Sequence, residues 1–411
     1  MNKVKPALAT NAMWLLSGNA IYLACQLVIL SALTQYSELE TVGSFGLIMA
    51  ICTPIFAITG LGLRTAQSTD ALGEYEFSDY FGLRIAMTFL GTLVILSTIY
   101  IWKPLLLFFA LPIVLAKSIE QYSDLFYGTL QKAERIKSVA ISLIMRGFLS
   151  MVLFVSFLGF GLEVELAFYA QLSAWFFVAI FHDIQIVRLI QNTIKPRFSL
   201  PALLKLGKLS APLGAGIGIG ALQISLPRFF VEFFLGSTAL GLYTVVGYFQ
   251  QAATIFINSI GHALSARLSQ LWLASNHIRF WRIVKLFMML SLTGASCLVS
   301  LVLFFGETFL VYIFGDEYSA ASDLFILTSI AVSCLILASG FQFTLLAQRR
   351  FRVFGSLQFA FLLLVSITTF FGINWYGLEG LGYGLVVAGI VRLLVMTTIT
   401  MTHKKASNSI N

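Results

Sequence analysis

The run PLLLFFALPIVLAKSIEQYSDLFYGT, residues 104–129, decides how the chain is read. It is long enough to cross the hydrocarbon core of a bilayer, which takes about 20 apolar residues. Its second half nevertheless carries Lys117, Glu120 and Asp124. Together with Gln131 these fall at i, i+3, i+7 and i+14, which puts them on one face of a helix. A charge near mid-bilayer costs about 2.5–3.5 kcal/mol, so such groups turn toward a protein interior or a water-filled path. The pattern recurs: Arg146, Arg228 and Arg392 also sit inside apolar runs. Cations held this way point to an anionic cargo.

The whole chain has the same character. Of its 411 residues 58% are hydrophobic and 11% charged, and the mean hydropathy is +0.90. A soluble globular domain does not have this composition. Twelve apolar runs of spanning length are expected, at about 11–34, 42–62, 81–102, 104–129, 138–160, 165–190, 209–234, 240–264, 281–304, 320–347, 353–373 and 378–401. The connections are short and leave no room for a soluble domain. The runs are continuous rather than alternating with period two, which excludes a β-barrel. The basic N-terminus before the first run resembles a signal peptide, but the run is long and no small-residue cleavage site follows, so it reads as a retained span. The four cysteines, Cys25, Cys52, Cys297 and Cys334, lie in spans without metal-ligand spacing and read as packing residues.

Lys and Arg sort by side. With the N-terminus inside, outer loops carry only Lys103, while Arg84, Lys132, Arg135, Lys195, Arg197, Arg279, Arg349 and most of the others fall in inner segments. The positive-inside rule then places both termini in the cytoplasm and favours an even number of spans. The net charge of +8 follows from topology and lipid headgroups, not from nucleic-acid binding.

The chain also repeats itself. Leu39-Glu40-Thr41-Val42-Gly43-Ser44-Phe45 is matched by Ser237-Thr238-Ala239-Leu240-Gly241-Leu242-Tyr243, Gln131-Lys132 by Gln348-Arg349, and Gly161-Leu162-Glu163 by Gly377-Leu378-Glu379. The order is preserved. This predicts an all-α polytopic membrane protein of 12 transmembrane helices: a six-helix lobe over 1–190, a cytoplasmic linker with an amphipathic segment over 191–208, and a second six-helix lobe over 209–411. Transporters built from such repeats place the substrate at the repeat interface near the midplane.

Further motifs carry a family resemblance. They are Val42-Gly43-Ser44-Phe45-Gly46 and Gly60-Leu61-Gly62-Leu63-Arg64-Thr65-Ala66 around the second span, and Tyr127-Gly128-Thr129-Leu130-Gln131-Lys132-Ala133-Glu134-Arg135 between spans four and five. Ala263-Leu264-Ser265-Ala266-Arg267-Leu268-Ser269 closes span eight, and Phe314-Gly315-Asp316-Glu317-Tyr318 precedes span ten. With these the chain resembles the multidrug/oligosaccharidyl-lipid/polysaccharide exporter superfamily, and within it the Wzx-type polysaccharide flippases. The resemblance spans essentially the whole chain. Ala266 departs from it where these families often have proline. The two extra C-terminal spans usual in the lipid II flippase branch do not follow, so a peptidoglycan precursor is not the expected cargo.

The resemblance implies a MATE-like fold and a polyprenyl-pyrophosphate-linked oligosaccharide as substrate, flipped across the bacterial inner membrane for O-antigen, capsule or exopolysaccharide synthesis. It implies membrane lipids, a polysaccharide polymerase and chain-length proteins as partners, no nucleic acid and no cofactor. Substrate-binding candidates are Lys117, Arg146, Arg228, Arg64 and Arg267; the last two end spans two and eight. Arginine can hold a phosphate bidentately, whereas lysine offers a point charge. No ATP motif is present, so H+ or Na+ coupling is expected through Glu120, Asp124 and Glu232.

Each residue has a structural reading beside the functional one. Lys117 can pair with Glu120, Arg146 can snorkel to headgroups, and Arg64 and Arg267 can be positive-inside anchors. Arg228 and Glu232 can pair at i, i+4 beside a kink at Pro227. Gly214, Gly216, Gly218 and Gly220 serve packing or bending. Arg392, His182 and Asp183 read as interhelical polar groups; Asn19, Gln26, Gln250 and Gln251 are hydrogen-bonders toward sugar or between helices. The rival functions are a MATE-like multidrug exporter and, more remotely, a membrane polymerase or ligase. An enzyme of that kind needs a large outer loop with catalytic Arg or His, and the expected outer loops carry neither.

Overall fold

The structure is a computed structural model. It describes the backbone of residues 4–70, 74–191, 193–274, 276–348 and 350–408, and the side chains within these except at 4–9, 12, 69, 254–267, 351–352 and 401–408. Among the described residues it is helical, without strands. Twelve α-helices follow in order: α1 (Val4–Tyr36), α2 (Leu39–Thr59), α3 (Leu63–Thr69), α4 (Phe77–Trp102), α5 (Leu107–Lys132), α6 (Ile136–Gly159), α7 (Val164–Val178), α8 (Gln185–Arg188), α9 (Leu200–Leu273), α10 (His277–Phe314), α11 (Ser322–Ala347) and α12 (Phe351–Asn408). A π-helical turn, Ala179–Ile184, joins α7 to α8. Ten helical segments are long and apolar enough to cross a membrane. This fits the multi-pass reading and differs from a count of 12 separate helices, because two of the ten, in α9 and α12, each run through two expected spans.

Those two long elements are not straight. α12 leaves helical geometry at Tyr376 and at Gly377, which has φ +60°. On either side the chain folds back: a Cβ added at Gly380 would lie 1.9 Å from the carbonyl oxygen of Gly372, and one at Gly384 would lie 2.5 Å from that of Thr368. Only hydrogen fits at such a crossing. Gly380→Ala is therefore expected to force the two arms apart. It should destabilise the protein by about 1–3 kcal/mol, as other overpacked sites do, and a lowered unfolding midpoint in detergent would show it.

α9 turns at Gly236, with φ +84°. Its dihedrals remain helical through Pro212 and Pro227, because proline's fixed φ suits a helix even though its missing N–H costs a bond. The break at Gly236 falls in the gap expected between the spans 209–234 and 240–264, while the kink expected at Pro227 is not accompanied by non-helical dihedrals. Of the four alternate glycines, Gly214 and Gly218 pack against Leu61 and Ile58, where a Cβ would sit 2.7 and 2.4 Å from the nearest atoms; Gly216 and Gly220 face nothing within 4 Å.

The chain divides into two compact units, 1–38 with 44–225 and 39–43 with 226–411. In the first, α1 packs on α6, α4 and α3 on α5, and α5 and α6 on α7. Its core at one end gathers Leu63, Tyr80, Leu125, Phe126, Leu130 and Leu206, which fixes α3 and the start of α4 against the end of α5. In the second, α10 packs on α11 and α11 on α12. The second unit also contains a reciprocal crossing. A Cβ on Gly43 would meet the Ser237 carbonyl oxygen at 1.8 Å, and one on Gly241 the Leu39 carbonyl oxygen at 2.3 Å. These glycines occupy matching places in the sequence repeat.

Candidate functional site: a charged cluster on α5

α5 arranges the charges of the first unit. Lys117 Nζ pairs with Glu120 Oε2 at 2.8 Å and lies 5.3 Å from the centre of the Trp175 ring. One turn on, Asp124 bridges two arginines: Arg64 Nη1 to Oδ1 at 3.1 Å and Arg84 Nη2 to Oδ2 at 3.4 Å. Arg84 also donates to Gln121 Oε1 at 3.0 Å. Arg64 reaches this point because α2 ends at Gly60 and the chain turns through Leu61 and Gly62, both at positive φ, before α3 begins. The side chains of Arg64, Asp124, Lys117 and Glu120 are between 24 and 36% exposed. Three cations face two carboxylates, so the cluster carries one surplus positive charge. Arginine and lysine N–H groups of this kind are donors suited to phosphate oxygens.

Arg146 is placed differently. Its side chain is 1% exposed and that of its partner Asp183 is 0%, with Nη2 3.1 Å from Oδ2. Nη2 also donates to Ser123 Oγ at 2.5 Å, and the guanidinium lies between the rings of Tyr127 and Trp175, at 5.9 and 5.0 Å. Ser142 Oγ donates to Asp183 Oδ1 at 2.5 Å, and His182 Nδ1 lies 3.0 Å from the same oxygen. Arg146 is thus occupied inside the protein, with its guanidinium on the same Trp175 ring that Lys117 approaches. The π-turn aims Asp183 inward; such turns recur at functional positions.

In the second unit Arg228 is 6% exposed. The space beside its guanidinium exists because residue 247 is glycine: a Cβ there would lie 3.3 Å from Nη2. Glu232 accepts from Ser237 Oγ at 3.0 Å. Among the described residues no ion pair within 4 Å joins Arg228 to Glu232, although their spacing allows one. Arg392 donates to Gln342 and Gln358 at 3.2 and 3.1 Å and lies 4.9 Å from the Phe361 ring centre. Gln131 is exposed at the end of α5. Arg267 lies outside the described side chains.

Thus the structure pairs Lys117 with Glu120 and Arg64 with Asp124 along α5, closes Arg146 in a buried pair with Asp183 beside the Trp175 ring that Lys117 also approaches, and places Arg228 and Glu232 in the other unit. Sequence reasoning missed Arg84, which it counted among the inner-side anchors. The available signal was its position: α4 begins at Phe77, so Arg84 is two turns inside the helix. Among the described residues no group of three His, Cys, Asp or Glu side chains is gathered as a metal site requires.

Known structures share this fold over nearly the full length. An inward-facing multidrug resistance MATE family transporter of the MOP superfamily superposes with a TM-score of 0.70 at 16% identity, covering 95% of this chain and 96% of that one. The fold is that of the MATE transporters. A MOP superfamily transporter from Pyrococcus furiosus, described by the reverse polarity of its binding pocket and a suggested different function, matches the same MATE-like fold. Its TM-score is 0.66 at 14% identity, covering 98% and 96%. In sequence, a capsular polysaccharide biosynthesis protein, CapF of Staphylococcus aureus, is 23% identical over 385 residues, 93% of this chain and 97% of that protein. No family model matches the chain. The MOP-superfamily resemblance read from the motifs is therefore met by the MATE-like fold and by a full-length relative in polysaccharide synthesis.

Proposed function

We propose that the chain is a flippase for polyprenyl-pyrophosphate-linked oligosaccharide. The observation that carries this reading is the surplus cation of the Arg64–Arg84–Asp124 and Lys117–Glu120 cluster, held on helices of spanning length. A pyrophosphate with attached sugars cannot enter hydrocarbon unaided, whereas a polyprenyl tail can remain there. The cluster supplies the positive charge that replaces water around the pyrophosphate. α9 and α12 each cross twice, which gives 12 crossings with both termini in the cytoplasm of a bacterium. Alternating access exposes the cluster first to the inner and then to the outer leaflet, with Glu120, Asp124 and Glu232 as candidate carriers of H+ or Na+. Membrane lipids, a polymerase and chain-length proteins are the partners this role requires. The capsule-related relative supports the cargo; an organic cation, the cargo of the rival exporter reading, would be repelled by the surplus charge.

Cells lacking the chain test the two readings. They should accumulate lipid-linked oligosaccharide on the cytoplasmic side and lose surface polymer, with unchanged ethidium efflux. Normal surface polymer together with reduced ethidium efflux would instead establish the exporter.

A further inference from the structure

A polar cavity lies one turn of α3 beyond Arg64, at Gln67, and nothing so far accounts for it. It measures about 550 Å³ and is bordered by the end of α3, the loop before α4, the last turn of α5 and the start of the linker. Its walls include Gln67, Thr129, Gln191 and Thr193, with Tyr75 and Lys132. The linker is fastened at this edge: Arg197 N donates to the Ser78 carbonyl at 2.9 Å, and the Arg197 guanidinium lies 3.9 Å from both Glu76 and Asp79. Gln67 is 4% exposed. Its Nε2 donates to Thr129 Oγ1 at 2.8 Å, while its Oε1 has no hydrogen-bond partner among the described residues. That oxygen sits over Gly128, where a Cβ would come within 2.5 Å of it.

The chemistry of the walls selects the ligand. Amides, hydroxyls and tyrosine rings offer neutral hydrogen bonds and flat apolar faces. The charged residues in its lining, Lys132 and Glu76, are of opposite sign, so an anion gains little here. The volume is that of an ordinary small-ligand cleft, about 300–1,000 Å³. The position is equally specific. Arg64 and Gln67 are one turn apart on α3, and their partners Asp124 and Thr129 are five residues apart on α5, about 7.5 Å along the axis. A sugar linked to a pyrophosphate held at Arg64 would reach this cavity.

We propose that the cavity binds the neutral sugars next to the pyrophosphate, through Gln67, Thr129 and the Tyr75 ring, and so selects the oligosaccharide before it is moved. The inference rests on the flippase reading. A carbohydrate is favoured over a lipid headgroup because the pocket offers no net positive charge.

Binding to the full chain in detergent separates the possibilities. One probe is the free oligosaccharide released by mild acid from the lipid-linked pool of the cells that carry this protein; the other is inorganic pyrophosphate. Gln67→Leu should weaken oligosaccharide binding by about tenfold, the share of one or two neutral hydrogen bonds, and leave pyrophosphate binding unchanged. Arg64→Gln should do the reverse. Tyr75→Ala, in a loop, serves where Gln67→Leu fails to fold, and should also weaken the sugar alone. Oligosaccharide affinity unmoved by both Gln67→Leu and Tyr75→Ala would overturn the inference. So would wild-type protein that flips the lipid-linked substrate yet binds no free oligosaccharide, and so would displacement of the sugar by phosphatidylglycerol micelles alone. In these cases the flippase reading survives. Absence of any flipping, with ethidium exported, would remove the reading and the inference together.

Discussion

Asp183→Ala is expected to destabilise the protein by about 3–5 kcal/mol. Breaking a fully buried ion pair leaves the remaining charge without compensation, which is the costly case. Asp183 accepts from Arg146, from Ser142 and on its His182 side, so the substitution also takes the carboxylate away from Ser142 and leaves the Arg146 charge only the neutral Ser123 hydroxyl to donate to among the described residues. Arg146 cannot recover by reaching water, because Tyr127 and Trp175 flank it. Arg146→Met with Asp183→Leu removes both charges and should recover most of the loss, since apolar replacement of a buried pair is often neutral or stabilising. Thermal unfolding of the two single variants and the double variant in one detergent forms the cycle. If Asp183→Ala unfolded like the wild type, or if the double variant were no better than the singles combined, the pair would not be the structural lock described above.

The second large effect concerns transport. Arg64→Gln removes one charge-assisted donor for a phosphate oxygen, about 1.5–3 kcal/mol, and abolishes the surplus charge of the cluster. Flipping should slow by about 10- to 100-fold at low substrate, with KM raised. Asp124→Asn acts in the opposite direction on binding. It releases Arg64 and Arg84 from their shared carboxylate and raises the surplus from one positive charge to two. KM should fall, and turnover should fall with it because release is slower. A positive site that merely stabilised the fold would not shift KM in opposite directions for the two variants. Initial rates over a range of substrate concentrations, at fixed ionic strength, would make the comparison.

The membrane architecture was legible because lipid imposes long apolar runs and side-sorted charges. The same constraint exposed Lys117, Glu120 and Asp124, since an ionisable group in such a run is conspicuous. Helical spacing then put them on one face, and α5 presents them that way. What periodicity could not show was partnership between distant segments. Asp124 and Arg84 are 40 residues apart and Arg146 and Asp183 are 37, and no local pattern joins them. Arg84 looked like an anchor because the start of its span was placed four residues late, which moved the arginine from the second turn to the membrane edge. Asp183 was read as an interhelical polar group, and it pairs with Arg146 of α6; what an α-helical register could not show is the π-turn that carries it. The double-back in α12 and the turn in α9 both fall in gaps between expected spans, at Gly377 and at Gly236, residues able to take positive φ; the kink expected at Pro227 did not follow, because proline's fixed φ suits a helix.

The central claim is that an anionic headgroup is held by the cationic cluster on α5 while it crosses the membrane. Proteoliposomes holding a polyprenyl-pyrophosphate oligosaccharide in one leaflet test it most directly, by following appearance in the other leaflet for the wild type, Arg64→Gln and Lys117→Gln after each is shown to insert normally. The account predicts rapid wild-type flipping, inhibited by added pyrophosphate, and slow flipping in both variants. Undiminished flipping in both variants would contradict it.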